Sequence, residues 1–361
     1  FNFSFDNYGS EYTGSMRGLL RANFYNLADQ ADQLNINVLA TFNPTNSVYF
    51  GTSYRFKIEP YSKSPLLNSL FRYGINSTVG YQQTKYVAGG DIEAINFEGK
   101  ASSLYVKLDK DFVLRNNYKV NSGIILSRKV AETTQNGKSN SEDRLSIFNW
   151  STQLTWNDNF ISPSATLIKF DYHQGLPGFA GAFENDNPAI SRKGKTSDGE
   201  IITATMDYKR FNLLISRNQG VGPYRFVSKI QSQHTDDLLL SSELSNLGGP
   251  SAVRGYSNSD LSGDRTTVVS MELIGKSSAR KFSLPISDLK LAGFIDYGIG
   301  ERLHPLGDED KQAEMISVGG YAQFLKEGTF SSKMELAIPL KAVGDSKKNG
   351  LEVLFNFERG F

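Results

Sequence analysis

The chain has 361 residues, with 39 Lys and Arg against 38 Asp and Glu, a net charge of +1 and no cysteine. Charges of both signs are interspersed, which leaves no footprint for a polyanion, so no nucleic-acid partner is expected. The missing thiols exclude a disulfide framework and any Cys-based zinc site, and no apolar run is long enough for a transmembrane helix.

What remains is rich in strand and turn formers, with 24 Phe, 17 Tyr and 33 Gly, and it alternates from one end to the other. The first residues, "FNFSF", already read as a strand. In 32–42, "DQLNINVLATF", Leu34, Ile36, Val38, Ala40 and Phe42 share a face opposite Asn35, Asn37 and Thr41. In 47–58, Val48, Phe50, Tyr54, Phe56 and Ile58 oppose Gly51, Ser53, Arg55 and Lys57. Polar stretches at 133–144, 181–200 and 304–314 read as connections. In 289–300, Leu289, Leu291, Ile295, Tyr297 and Ile299 oppose Lys290, Phe294 and Asp296. In 329–340, Phe330, Met334, Leu336, Ile338 and Leu340 oppose Ser331, Lys333 and Glu335. The last stretch, "GLEVLFNFERGF", sets Leu351, Val353, Phe355, Phe357 and Phe361 against Glu352, Asn356 and Glu358.

Strands with one apolar and one polar face, joined by alternately short and long connections, predict an all-β fold: a closed antiparallel transmembrane β-barrel. Closure also reconciles lipid residence with a mean hydropathy of −0.37, because only alternate residues touch hydrocarbon and every backbone group is paired. A soluble sandwich or propeller alternates too. Its packed interior could not hold so many charges and amides, which suit a wet lumen. At about 20 to 25 residues per strand with its loops, the length predicts roughly 14 to 18 strands, with about 16 as the expectation.

A wide barrel gives meaning to Leu247–Arg265, "LGGPSAVRGYSNSDLSGDR". Gly248 and Gly249 can take turn conformations closed to other residues, so the loop can fold back into the lumen, carrying Val253, Arg254, Gly255 and Tyr256. This resembles the lumen-entering loop of the BamA superfamily of outer-membrane assembly and translocation proteins, whose tip carries Val-Arg-Gly-(Tyr/Phe). The superfamily's second motif, aromatic-x-Asp-x-Gly on a later strand, is matched by Phe294, Asp296 and Gly298. The resemblance implies that Arg254 pairs with Asp296 inside the barrel. The alternation independently places Asp296 on the polar face.

The approach "LLLSSELSNLGGPSAVRGY", the following Gly263, Asp264 and Arg265, and the opening Asp6, Asn7, Gly9, Thr13 and Gly14 narrow the resemblance to two-partner secretion translocators of the ShlB/FhaC/HecB type. It runs from the first strand to Phe361 and implies a translocator barrel over 1–361, with the family's POTRA domains and plug helix absent from this chain. It further implies the outer membrane of a Gram-negative bacterium and an unfolded secreted partner protein of adhesin or haemolysin type, exported without nucleotide. Outer-membrane lipid, lipopolysaccharide and the barrel assembly machinery are the other implied partners, with Phe357 and Phe361 as the insertion signal. An assembly factor of the same superfamily, or a diffusion porin, is the alternative.

Other motifs are bland. "GKS" (137–139) and "GKT" (194–196) lack the earlier glycine of a phosphate-binding loop, with Glu132 and Ala189 in its place. His173, His234 and His304 share no ligand spacing, and the acidic runs 184–187 and 307–310 lack the calcium-loop pattern. No Gly-x-Ser-x-Gly occurs. The expectation is therefore no metal, no cofactor and no enzymatic activity.

Overall fold

The computed structural model describes all residues except 11, 43–45, 59–73, 90–92, 95, 186, 259, 279–287, 308, 327–329, 345 and 347. Two members of the acidic runs, Asp186 and Asp308, thus lie outside the described residues.

The first eight strands are β1 (Asn2–Asp6), β2 (Met16–Tyr25), β3 (Gln33–Phe42), β4 (Ser47–Ile58), β5 (Ile75–Val87), β6 (Phe97–Leu114), β7 (Tyr118–Gln135) and β8 (Lys138–Asp158). There follow β9 (Ser164–Gly175), β10 (Lys193–Lys195), β11 (Ile201–Thr203), β12 (Lys209–Val221), β13 (Tyr224–His234), β14 (Ser245–Asn246) and β15 (Ser262–Gly263). The chain ends with β16 (Arg265–Ser278), β17 (Asp288–Glu301), β18 (Gln312–Lys326), β19 (Phe330–Pro339) and β20 (Glu352–Gly360). Sixteen of these form one closed antiparallel barrel, and the pairs β10–β11 and β14–β15 are small sheets within loops.

The barrel follows from the alternation. Along β17, Leu291, Gly293 and Ile295 are exposed on the outer face while Phe294, Asp296 and Gly298 are buried on the inner one. Along β19, outward Met334 and Leu336 alternate with buried Glu335 and Ala337. The seam is short: β1 joins β20 over five residue pairs, from Asn2 with Gly360 to Asp6 with Asn356.

The connections differ at the two ends. One rim carries the chain termini and the tight turns 115–117, 159–163 and 222–223. The other carries the long connections 176–208 and 235–264, which marks it as the cell-surface end. At that end β7 and β8 run on as a hairpin. The polar stretch 133–144, read from sequence as a connection, is strand except at Asn136 and Gly137. Both have positive φ, 50° and 73°, the requirement of a two-residue hairpin turn that Asn-Gly meets.

Two apolar clusters sit inside the wall. Leu145 and Ile147 of β8 pack with Ile190, Met206, Tyr208 and Leu239 from the two long loops. Leu247, Val253, Tyr256 and Leu261 pack on Val268 of β16 and Met315 of β18. Connection 181–200, read from sequence as a polar stretch, therefore has a buried part: Ile190 packs into the apolar cluster that the two long connections form at the outer end, the cap.

Candidate functional site

The glycine-rich loop folds as a hairpin, with β14 pairing β15 and the Leu247 N–H donating to the Leu261 carbonyl at 2.9 Å. Gly249 (φ 109°) and Gly255 (φ 86°) occupy left-handed conformations that reverse the chain at either side of the tip. A Cβ on Gly248 would strike the Ser257 carbonyl oxygen. On the facing strand, a Cβ at Gly298 would stand 2.5 Å from Val253 Cγ2. The bare glycine of the aromatic-x-Asp-x-Gly motif is thus the seat for the buried Val253.

Arg254 lies with Asp296, the pairing that the family resemblance implies. Nε and Nη2 donate to the two carboxylate oxygens at 2.7 and 2.8 Å, and the Arg254 backbone N–H adds a third bond at 3.2 Å. This two-pronged geometry is the one a guanidinium offers and an ammonium cannot. The guanidinium carbon lies 3.5 Å from the Phe294 ring centroid, a cation–π contact that assigns the motif's aromatic residue its place. Asp296 is fully buried.

Further partners were not singled out from the sequence. Arg254 Nη1 meets Glu272 of β16 at 2.7 Å and Glu335 of β19 at 3.4 Å, and Nη2 donates to Ser270 Oγ at 3.0 Å. Lys333 pairs with Glu335 at 2.8 Å. One guanidinium therefore joins carboxylates from three strands. Tyr256, the last residue of the tip motif, is buried; its hydroxyl lies 2.9 Å from the carbonyls of both Ile316 and Lys341. Tyr8, just past β1, donates to Glu335 at 3.0 Å and so connects the cluster to the seam.

A second cluster fastens the cap. Arg192 grips Asp264 with bonds of 2.6 and 2.7 Å, and the backbone N–H groups of Leu239 and Leu303 donate to the same carboxylate at 3.0 and 2.8 Å. Three connections meet there. Nearby, buried Glu243 takes Lys129 of β7 at 2.6 Å and Arg210 of β12 at 2.9 Å. Burial works against the Glu243 charge, but the two cations outweigh it and hold the carboxyl below its ordinary range.

The other sequence candidates are scattered. Phe357 faces outward and stacks on Phe330 at 6.1 Å, and Phe361 is exposed at the terminus-bearing rim. His173 sits beside Asn149, His234 is the last residue of β13, and His304 belongs to the loop after β17. "GKS" falls at the β7–β8 turn and "GKT" at the β10–β11 hairpin.

Barrel and loop define a class: a wide transmembrane barrel with an arginine-tipped hairpin docked on its inner wall. Residues 1–320 match the family model "Haemolysin secretion/activation protein ShlB/FhaC/HecB", and the chain belongs to that family, in the outer membrane of a Gram-negative bacterium. The heme/hemopexin transporter protein HuxB of Haemophilus influenzae (strain 86-028NP) is 24% identical over 345 residues, 93% of this chain and 56% of HuxB. CdiB from Escherichia coli superposes over the whole chain with TM-score 0.79 at 17% identity, the chain covering 62% of that protein. CdiB from Acinetobacter baumannii gives 0.69 at 15%, over 99% of this chain and 59% of that one. BamA from Haemophilus ducreyi lacking POTRA domains 1-3 gives 0.65 at 14%, over 100% and 70%. The chain thus spans less than two thirds of HuxB and of both CdiB proteins.

Proposed function

We propose that residues 1–361 form the barrel through which a large partner protein passes, unfolded, from periplasm to cell surface. The observation that carries this reading is the hairpin held against the inner wall by Arg254 on Asp296, which the reading takes as an obstacle that moves aside for the partner. The name of HuxB, a transporter protein, agrees with transport. The work is conduction without catalysis, cofactor or nucleotide, and folding of the emerging partner outside supplies the drive. Outer-membrane lipid and lipopolysaccharide surround the wall, and Phe357 and Phe361 present the insertion signal to the barrel assembly machinery.

Single-channel conductance in planar bilayers tests the reading, paired with export of a secreted protein encoded beside this chain. Arg254→Ala and Asp296→Ala should each raise the open fraction and impair export. Unchanged conductance and export in both variants would remove the hairpin from the mechanism.

A further inference from the structure

Around the cell-surface rim, outward cations mostly stand beside acids. Arg265 meets Asp236 at 2.6 Å and Glu301 at 3.2 Å, Lys341 pairs with Glu314, and Arg144 pairs with Glu142. Three adjacent strands break the pattern. Lys85 of β5, Lys100 of β6 and Arg128 of β7 have no carboxylate within 4.0 Å among the described residues.

Their register makes the exception informative. Lys85 lies directly opposite Lys100, and like charges in that relation destabilise a sheet unless something neutralises them. Glu132 faces Lys100 from the other side without closing an ion pair. Arg128 stands opposite Leu104 on β6 and Ser146 on β8, one outward step above the exposed Leu126 and Val106. It therefore sits where the apolar belt ends. Its Nη1 is shielded from solvent and meets no acceptor among the described residues. The short 3-10 turn Phe179–Gly181 is fixed beside it by the bond from Ser146 Oγ to the Phe179 carbonyl, 2.7 Å, and the Phe179 ring is exposed.

We propose that Lys85, Lys100 and Arg128 form a binding site for the phosphate groups of lipopolysaccharide, with Phe179 beside its acyl chains. The cations face lipid at the outer-leaflet boundary, where that membrane places phosphorylated glycolipid, and charge complementarity commits the surface to it. The site deepens the general lipid contact proposed above. It rests on the outer-membrane placement and not on transport, so a chain that binds the lipid yet exports nothing leaves this inference standing and ends the translocator reading.

Native mass spectrometry of the folded chain in detergent tests it, with lipid A carrying phosphate as probe. Wild type should retain lipid A, and the K85Q/K100Q/R128Q triple variant should lose roughly a hundredfold in affinity. Lys341→Gln, an outward cation with its own acid, should bind as wild type does. Folding of each variant is read from heat-modifiable gel mobility. Should the triple variant fail to fold, hydrogen exchange of wild type decides, with lipid A expected to protect 83–85, 100–102 and 126–130. Equal binding by wild type and triple variant, equal binding of lipid A stripped of phosphate, full competition by inorganic phosphate, or no protection in those segments would each overturn the proposal.

Discussion

At the scale of single residues the hub is asymmetric. Arg254 faces three carboxylates, Asp296, Glu272 and Glu335, so its loss leaves buried anions facing one another with just Lys333 and the partly buried Lys229 near among the described residues. Loss of Asp296 leaves Arg254 two acids. Arg254→Ala should therefore cost more than Asp296→Asn. We expect about 3–5 kcal/mol for the first, the range for stranding buried charge, and less for the second. The midpoint of the heat-induced mobility shift ranks them, and the reverse order would dismiss the hub. Gly298→Ala separates position from charge: it touches no ion, yet its Cβ would meet Val253 at 2.5 Å. That variant should unseat the tip and raise conductance with every charge retained. The Arg254–Asp296 pair was legible because two motifs and the strand's alternation agree on it. Glu272 and Glu335 were not, because an inward Glu on a barrel strand looks like any wet-face residue. Their convergence on Arg254 depends on strand register, and Glu335 lies 81 positions from Arg254.

At the scale of elements the short seam relies on Asn7. Beyond the last β1 pair, the Asn7 side chain continues the ladder: Nδ2 donates to the Val353 carbonyl at 2.8 Å, and the Phe355 N–H donates to Oδ1 at 2.8 Å. Asn7→Ala removes both bonds, at about 0.5–1.5 kcal/mol each. Amide exchange at Phe355 should accelerate while exchange in β7 and β8 stays unchanged; an unaltered Phe355 would mean the seam ends at Asp6. The cap responds to acid through Glu243. Its folded pKa lies below its ordinary value, so its stabilisation is complete above that ordinary value and is lost as pH falls through the lower, folded one. Cleavage of 176–208 by an acid-tolerant protease should stay slow down to about pH 5 and speed up below about pH 4. Glu243→Gln, which keeps shape but strands Lys129 and Arg210, should speed cleavage at neutral pH. The strands were legible because alternation encodes them. The cap was not, because 176–208 has no period, and the places of its Ile190 and Arg192 are set by contacts with two other loops.

At the scale of the whole molecule the lumen is divided. The docked hairpin occupies the wall of β16 to β19, and the cap leans on β7, β8 and β12. The wall from β2 to β6 remains lined by polar side chains such as Asn35, Asn37, Ser53 and Gln82, so ions crossing the resting barrel should follow that side. Toward the terminus-bearing rim this lining is electropositive. Arg55, Lys57, Lys107 and Lys119 face inward with Asp109 and Asp111, and Asp109 is already engaged by Lys107 at 3.1 Å and by the amides of Asn76 and Asn121. A passage on which more cations than acids face inward favours anions, since low-dielectric walls focus the field on the path. The reversal potential in a potassium chloride gradient should accordingly show chloride preference. R55E/K107E should weaken or invert it, and raised salt should diminish it as screening shortens the reach of each charge. Lys209→Glu, an exposed change on the outer face of β12, should leave it alone. An inverted preference from the Lys209 variant, or none from the inward pair, would place the ion path on the hairpin side instead. The docked loop would then be part of the conduit and not an obstacle beside it.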